Sequence, residues 1–256
     1  MRSLENQNNL TITHIYHSGV MIETNDKLII FDYFHEEGAF NQQEFLHLLE
    51  QHQDKDFYYF VTHGHPDHFS PEILTENFTS LQGETRYIFS EDTKDFQTTQ
   101  HSLTLCKPNE SFVVGDLRIN TFGSTDQGVS YLVEIATDDT LLFHSGDLNW
   151  WHWENSSPEE QQQEKKDFLE EIGKLRDHLS KMNSSLDIGF VPIDPRLGEF
   201  FSLAGNAFSE TVMPKKMFPL HFRNHYSITK AFESQCTSPE NFQSIDHALE
   251  SFAIKI

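Results

Sequence analysis

Cysteine is nearly absent from this chain. Cys106 and Cys236 are the only two in 256 residues, far apart and without a short spacing between them. That excludes a disulfide-stapled scaffold and a thiolate zinc site. Basic residues are also scarce, 18 Lys and Arg against 40 Asp and Glu, for a formal charge of −22. A surface so acidic repels phosphate backbones and anionic membranes unless a local basic groove compensates. Lys165-Lys166 and Lys215-Lys216 are isolated pairs, so neither nucleic acid nor membrane is expected as a partner. No apolar run approaches the length of a membrane span. The opening MRSLENQNNL lacks the basic-then-apolar order of a secretory leader, which sets a cytoplasmic protein as the expectation. Linkers, repeats and low-complexity stretches are missing too, so residues 1–256 are read as a single domain.

Aromatic residues, by contrast, are plentiful: 13% of the chain, with 23 Phe, which marks a globular protein with a large core. The stretch around which the rest is organised is FYYFVTHGHPDH, Phe57 to His68. It begins as an apolar, β-branched and aromatic run that reads as a buried strand. After Thr62 come His63, His65, Asp67 and His68, with Gly64 and Pro66 forcing a tight loop between them. Imidazole and carboxylate are ligands that zinc, iron and manganese accept. With 15 His in the chain, such a spacing would arise by chance on the order of 0.003 times.

Taken in order, residues 10–35 read as a hairpin: one strand over LTITHIYHSGVMIET, a turn at Asn25-Asp26, and a second strand ending at Asp32. Phe45, Leu48 and Leu49 have helical spacing within residues 41–53, and His47 and His52 are read as solvated positions of that helix. Pro71 opens a short helix, 86–90 is a strand, and 101–122 holds further short strands with turns at Pro108-Asn109 and Gly115-Asp116. Strands follow at 128–135 and 140–147, the second ending on Asp147. Two strands that deliver metal-binding groups from their carboxyl ends imply a sheet edge lined with ligands. Ser157 followed by Pro158, Glu159 and Glu160 starts a helix running to about Met182. A buried strand at 186–193 delivers Asp194-Pro195-Arg196, a helix spans roughly 203–212, a strand ends at His221, and the tail LESFAIKI forms a last strand.

THGHPDH, the later SGD at 145–147 and PLHF at 219–222 resemble, in residues, order and spacing, the metallo-β-lactamase-fold hydrolases. His17-Ser18, the strand end at Val191 to Asp194 and Pro219-Leu220-His221 look nearest the branch containing L-ascorbate-6-phosphate lactonase. The resemblance implies an α/β, four-layer αββα sandwich with two divalent transition-metal ions at one edge, zinc foremost and manganese or iron as alternatives. It implies that His63 and His65 hold the first ion, that Asp67, His68 and His221 hold the second, and that Asp147 bridges them, with Asp67 and Asp147 as the catalytic carboxylates. A metal-bound hydroxide would then cleave an ester, lactone or phosphodiester bond of a small anionic molecule.

One departure stands out. Where the family pattern supplies a third histidine to the first ion, this chain offers Gly123, Ser124, Thr125 and Asp126. Either Asp126 substitutes as an oxygen ligand, which shifts preference toward manganese or iron, or that site keeps two histidines. His144 is expected to support the site by hydrogen bonding rather than to ligate. Asp32 is expected to buttress the histidine loop. Candidate substrate contacts are His17, Trp150, Asp194 and Arg196. Against these, Trp150, Trp151 and Trp153 could anchor their loop to the 158–182 helix, and Asp194 and Arg196 could pair with each other. His152 and His225 read as loop histidines. Two other functions remain open: a degenerate protein with one structural metal, and, disfavoured by charge, a nucleic-acid phosphodiesterase.

Overall fold

The computed structural model describes residues 9–80, 83–94 and 102–255. Two mixed sheets face each other. The first holds seven strands in the order β13-β1-β2-β3-β4-β5-β6, from β1 (Asn9–Tyr16), β2 (Gly19–Glu23), β3 (Lys27–Phe31), β4 (Asp56–Val61), β5 (Thr85–Ser90), β6 (Leu103–Cys106) and β13 (Glu250–Lys255). The second holds six in the order β12-β11-β10-β9-β8-β7, from β7 (Ser111–Val114), β8 (Leu117–Phe122), β9 (Ser130–Ile135), β10 (Thr140–His144), β11 (Ile188–Pro192) and β12 (Lys216–Leu220).

The inner faces share one core that includes Ile12, Phe31, Phe60, Tyr131, Leu142 and Phe190. Strands buried on both sides read as unbroken apolar runs, which is why FYYFV and LLFH carry little alternation. On the outer face of the first sheet, Phe45 and Leu49 of α1 (Gln42–Glu50) pack against Ile30, Tyr59 and Tyr87. On the outer face of the second, α3 (Pro158–Met182) and α4 (Leu203–Val212) cover Leu132 and Phe143. Two short helices, α2 (Glu76–Thr79) and α5 (Ser227–Glu233), complete the outer layers. The four layers are the αββα sandwich expected.

The longest helix has the start its sequence promises. Ser157 caps the Glu160 amide while the Glu160 carboxylate accepts from the Ser157 amide, and Pro158 follows the cap. Phe168, Ile172, Leu175 and Leu179 are buried on its inner face. At about 1.5–3 kcal/mol for each large apolar side chain, this stripe rather than helix propensity holds α3 in place.

Strand direction is what builds the site. β3, β4 and β5 run parallel in one sheet, and β10, β11 and β12 run parallel in the other. Parallel neighbours end on the same side, so the residues after β3, β4, β10, β11 and β12 emerge along one edge of the sandwich. Two expectations need correcting. Residues 10–24 are two strands and not one: the chain reverses at His17-Ser18, and Tyr16 pairs with Gly19. The 140–147 strand ends at His144, and Asp147 lies three residues beyond it in the loop Ser145-Gly146 opens.

Candidate metal centre

Thr62, the residue after β4, is the hub. Its amide donates to Asp32 Oδ1 at 2.8 Å and its hydroxyl to Asp32 Oδ2 at 2.7 Å. Its carbonyl accepts from the Val129 amide. Gly128 (φ 71°) and Gly146 (φ 52°) are pressed onto it, and a Cβ at Gly128 would lie 2.0 Å from the Thr62 carbonyl oxygen. Only glycine tolerates both that dihedral and that approach.

Three buried hydrogen-bond patterns decide which face three of the imidazoles show. The Thr62 hydroxyl spends its proton on Asp32, so the 3.1 Å contact with His63 Nδ1 requires the ring to donate. The lone pair of His63 is therefore on Nε2, 3.0 Å from His65 Nδ1. His68 donates from Nδ1 to Asp32 Oδ2 at 2.8 Å, which leaves Nε2 facing Asp147 Oδ1 at 3.0 Å. His221 donates from Nδ1 to Asp194 Oδ2 at 3.1 Å and turns Nε2 toward Asp147 Oδ1 at 3.2 Å. A carboxylate or hydroxyl behind an imidazole fixes its tautomer and raises its basicity, a recurring arrangement behind metal-ligating histidines.

Two donor clusters result: His63, His65, Asp126 and Asp147, and beside it His17, Asp67, His68 and His221. Asp147 serves both. Its Oδ2 lies 3.7 Å from His63 Nε2 while its Oδ1 faces His68 and His221. Asp126 Oδ2 is 3.7 Å from His65 Nδ1, and the Thr125 hydroxyl, bonded to the Asn149 carbonyl and amide, holds the Asp126 and Asp147 loops together. His68 Nε2 and Asp147 Oδ1 are buried with no hydrogen-bond partner. Lone pairs 3.0–3.7 Å apart match the roughly 3.4 Å between two ligands placed about 2.1 Å from one tetrahedral ion. The residues fit metal.

The electrostatics agree. Burial and the neighbouring Asp147 carboxylate push the Asp126 carboxyl up, as two acids facing one space without a cation should. Burial pulls His68 down, but Asp147 and Asp32 outweigh it and raise the ring to about 10. Burial, with His68 next, lowers His63 to about 4.

The sequence-read positions separate here. Asp194 is not free for substrate: it accepts from His221 and is gripped by Arg196 through Nε at 2.9 Å and Nη2 at 2.6 Å. Trp150 turns to α3, stacked 6.4 Å from Phe168. A cavity of about 350 Å³ opens on the clusters, walled instead by Trp151, Trp153, Thr125, Glu164 and Arg196. The two indoles stack at 5.6 Å and 4°, with the Arg196 guanidinium 5.7 Å from each ring. His144 is fully buried: Nδ1 accepts from the Gly146 amide and Nε2 donates to the Ser18 carbonyl. Neither nitrogen is left for an ion, and the ring clamps the His17 turn to the Asp147 loop. Arg223 was not anticipated. Its Nη2 donates to Asp67 Oδ2 at 3.0 Å and its Nη1 to Glu36 at 3.1 Å. A lone cation two residues after a strand-end histidine, in a chain this acidic, was the available signal.

Residues 11–169 match a family described as the beta-lactamase superfamily domain. No curated protein matches the chain. Among solved structures, Igni18, a metallo hydrolase from the archaeon Ignicoccus hospitalis, superposes with TM-score 0.65 at 15% identity, over 97% of this chain and 99% of that one. YhfI from Bacillus subtilis, a metallo-β-lactamase fold protein, gives 0.62 at 12% over 97% and 100%. CmlA, a diiron β-hydroxylase from Streptomyces venezuelae, gives 0.62 at 9%, covering 98% of this chain but 55% of that one. Among the described residues no helix is long and apolar enough to cross a membrane. The match over 11–169 shows that the chain belongs to the metallo-β-lactamase superfamily.

Proposed function

We propose that this protein is a metal-dependent hydrolase that cleaves an ester, lactone or phosphodiester bond of a small anionic molecule, within the branch of the L-ascorbate-6-phosphate lactonase. The observation that carries the reading is the division of Asp147: one carboxylate oxygen for each of two donor clusters, which is what a bridging ligand does. His63, His65 and Asp126 would hold one ion with Asp147, and Asp67, His68 and His221 the other. Zinc suits the imidazoles, and the carboxylate of Asp126 favours manganese or iron more than a third histidine would. Bound there, the pair of ions supplies an activated water and Lewis acidity toward a developing oxyanion.

The chain's own residues do the rest. Trp151 and Trp153 wall the cavity and keep bulk water from the reacting bond. Arg196 spends Nε and Nη2 on Asp194, and its Nη1 makes no hydrogen bond among the described residues. That nitrogen is free to meet a carboxylate or phosphate of the substrate, and the same Asp194 keeps the His221 lone pair aimed inward. A cavity of about 350 Å³ suits a small molecule, and the net charge of −22 disfavours a polynucleotide. The test is elemental analysis of purified protein together with a panel of esters, lactones and phosphodiesters. Two ions per chain and turnover on at least one anionic compound are expected. In Arg196→Gln, KM for that compound should rise about tenfold, the loss of one charge-assisted hydrogen bond, and more than KM for a neutral analogue, which shares only the effect of loosening Asp194. Protein that takes up no transition metal, or takes it up and turns over nothing, refutes the reading.

A further inference from the structure

His17 stands in the second donor cluster by distance alone, its Nε2 3.4 Å from Asp67 Oδ2 and its ring 4.2 Å from that of His221. Its hydrogen bonding is the reverse of its neighbours'. His63, His68 and His221 each donate from Nδ1 to an oxygen and turn a lone pair inward. Nδ1 of His17 instead accepts from the Arg223 backbone amide at 3.3 Å. A backbone amide cannot accept, so this nitrogen carries the lone pair and the proton sits on Nε2, the atom that faces the cluster.

We infer that His17 is not a metal ligand but a positioning residue, whose Nε2–H holds Oδ2 of Asp67 so that Oδ1 is turned toward the second ion. Arg223 acts on the same oxygen through Nη2 at 3.0 Å. His17 Nε2 is buried, 3.4 Å from the same oxygen and without a hydrogen bond to any other group; closing that gap would occupy Oδ2 with two N–H donors and leave Asp67 one oxygen to present, as a monodentate ligand must. The turn that carries His17 is fixed to match. The His17 carbonyl accepts from the His221 amide, His144 holds the Ser18 carbonyl, and His17 has φ 56° in a two-residue hairpin loop. Glycine is the usual occupant of such a position. The ring, not the backbone, accounts for histidine there.

This inference rests on the reading of the site as a metal centre, and the experiment separates the two. Protein with 15N-labelled histidine is examined by NMR without metal and after loading with cadmium-113. Without metal, His17 should show its proton on Nε2; a proton on Nδ1 overturns the inference. With cadmium, scalar coupling should reach nitrogens of His63, His65, His68 and His221 and not His17. Coupling at His17 overturns the inference and leaves the metal centre standing, whereas cadmium coupled to none of the five overturns the metal centre itself. A pair of variants reads the positioning role. His17→Ala should weaken retention of the second ion 10- to 100-fold, the range for loss of a hydrogen bond behind a ligand. His17→Gln, which keeps an N–H donor at that reach, should restore retention to within a few-fold. Equal loss of the ion in both variants marks a lost ligand and overturns the inference.

Discussion

Replacing Asp32 by Asn changes one atom and should disturb both halves of the site. Asp32 is fully buried and accepts three hydrogen bonds: the Thr62 amide on Oδ1, and the Thr62 hydroxyl and His68 Nδ1 on Oδ2. Asn keeps an acceptor for the amide but puts an NH2 where Oδ2 stood, facing two donors. The only arrangement without a donor-to-donor clash reverses both. His68 then carries its proton on Nε2, pointed at the place of the ion. The Thr62 hydroxyl must accept from Asn and donate to His63, which moves that ring's proton to Nε2 as well. Two bonds to a buried carboxylate are worth about 1.5–3 kcal/mol each, and the reversed network recovers part of them, so a loss of roughly 3 kcal/mol is expected. For a chain of this size that lowers the melting temperature by about 6–12 °C. Affinity should fall 10- to 100-fold at each metal site. Thermal melts in chelator give the first quantity and competition with a chromophoric chelator the second. A variant that keeps two ions at wild-type affinity and loses under about 1 kcal/mol would refute the claim that Asp32 sets both tautomers.

Three further outcomes can be read independently. Asp126→His supplies the imidazole the first cluster lacks, so after dialysis against equal zinc and manganese the variant should hold a larger zinc fraction than wild type; an unchanged ratio removes Asp126 from that site. Gly128→Ala places a Cβ 2.0 Å from the Thr62 carbonyl oxygen at φ 71°, a clash and a strained dihedral together. It should cost about 3 kcal/mol or more by urea unfolding, and a near-neutral result contradicts the packing described. The third concerns pH. In metal-free protein the His68 ring is raised to about 10, after burial is outweighed by Asp147 and Asp32. A raised pKa stabilises fully below the unfolded value near 6.5 and fades as pH climbs through 10. Chelated protein should therefore lose stability between about pH 7 and 10, while metal affinity, which needs that proton gone, rises up to tenfold per pH unit over the same range. Affinity that is flat in pH would mean His68 does not bind metal.

Local chemistry explains what the sequence disclosed. The run Phe57 to Val61 followed by Thr62 and the histidine loop is legible because strand propensity, punctuation and ligand type all lie within twelve residues. The cap at Ser157 and the stripe from Phe168 to Leu179 are legible for the same reason. What escaped is decided by contacts across the chain. The hairpin turn at His17-Ser18 hides in an alternating pattern that continues through it, and no Asn-Gly or Asp-Gly marks it. Which tryptophan faces the cavity depends on α3, against which Trp150 stacks. Arg223 meets Asp67 across 156 residues, and nothing near either one announces the other. Asp194 was read with Arg196, but its bond to His221 depends on β11 and β12 lying side by side.

The backbone at this edge is under strain. His17, Asp32, His221 and Arg223 all have positive φ, and none is glycine. Three of them stand at or just past a strand's end, where a left-handed residue turns the chain sharply enough to send a side chain into the cleft between the sheets. Each such residue costs of order 1–3 kcal/mol, so four together rival the whole stability of a typical domain. They persist because hydrogen bonds from their backbone amides hold them: the His221 amide to the His17 carbonyl, the Asp32 amide to the Phe60 carbonyl, the Arg223 amide to the His17 ring. The last of these also places the proton of His17. One hydrogen bond thus closes a strained turn and sets the polarity of a side chain in the second cluster, which ties the local geometry of the β1–β2 turn to the way Asp67 can meet a metal ion.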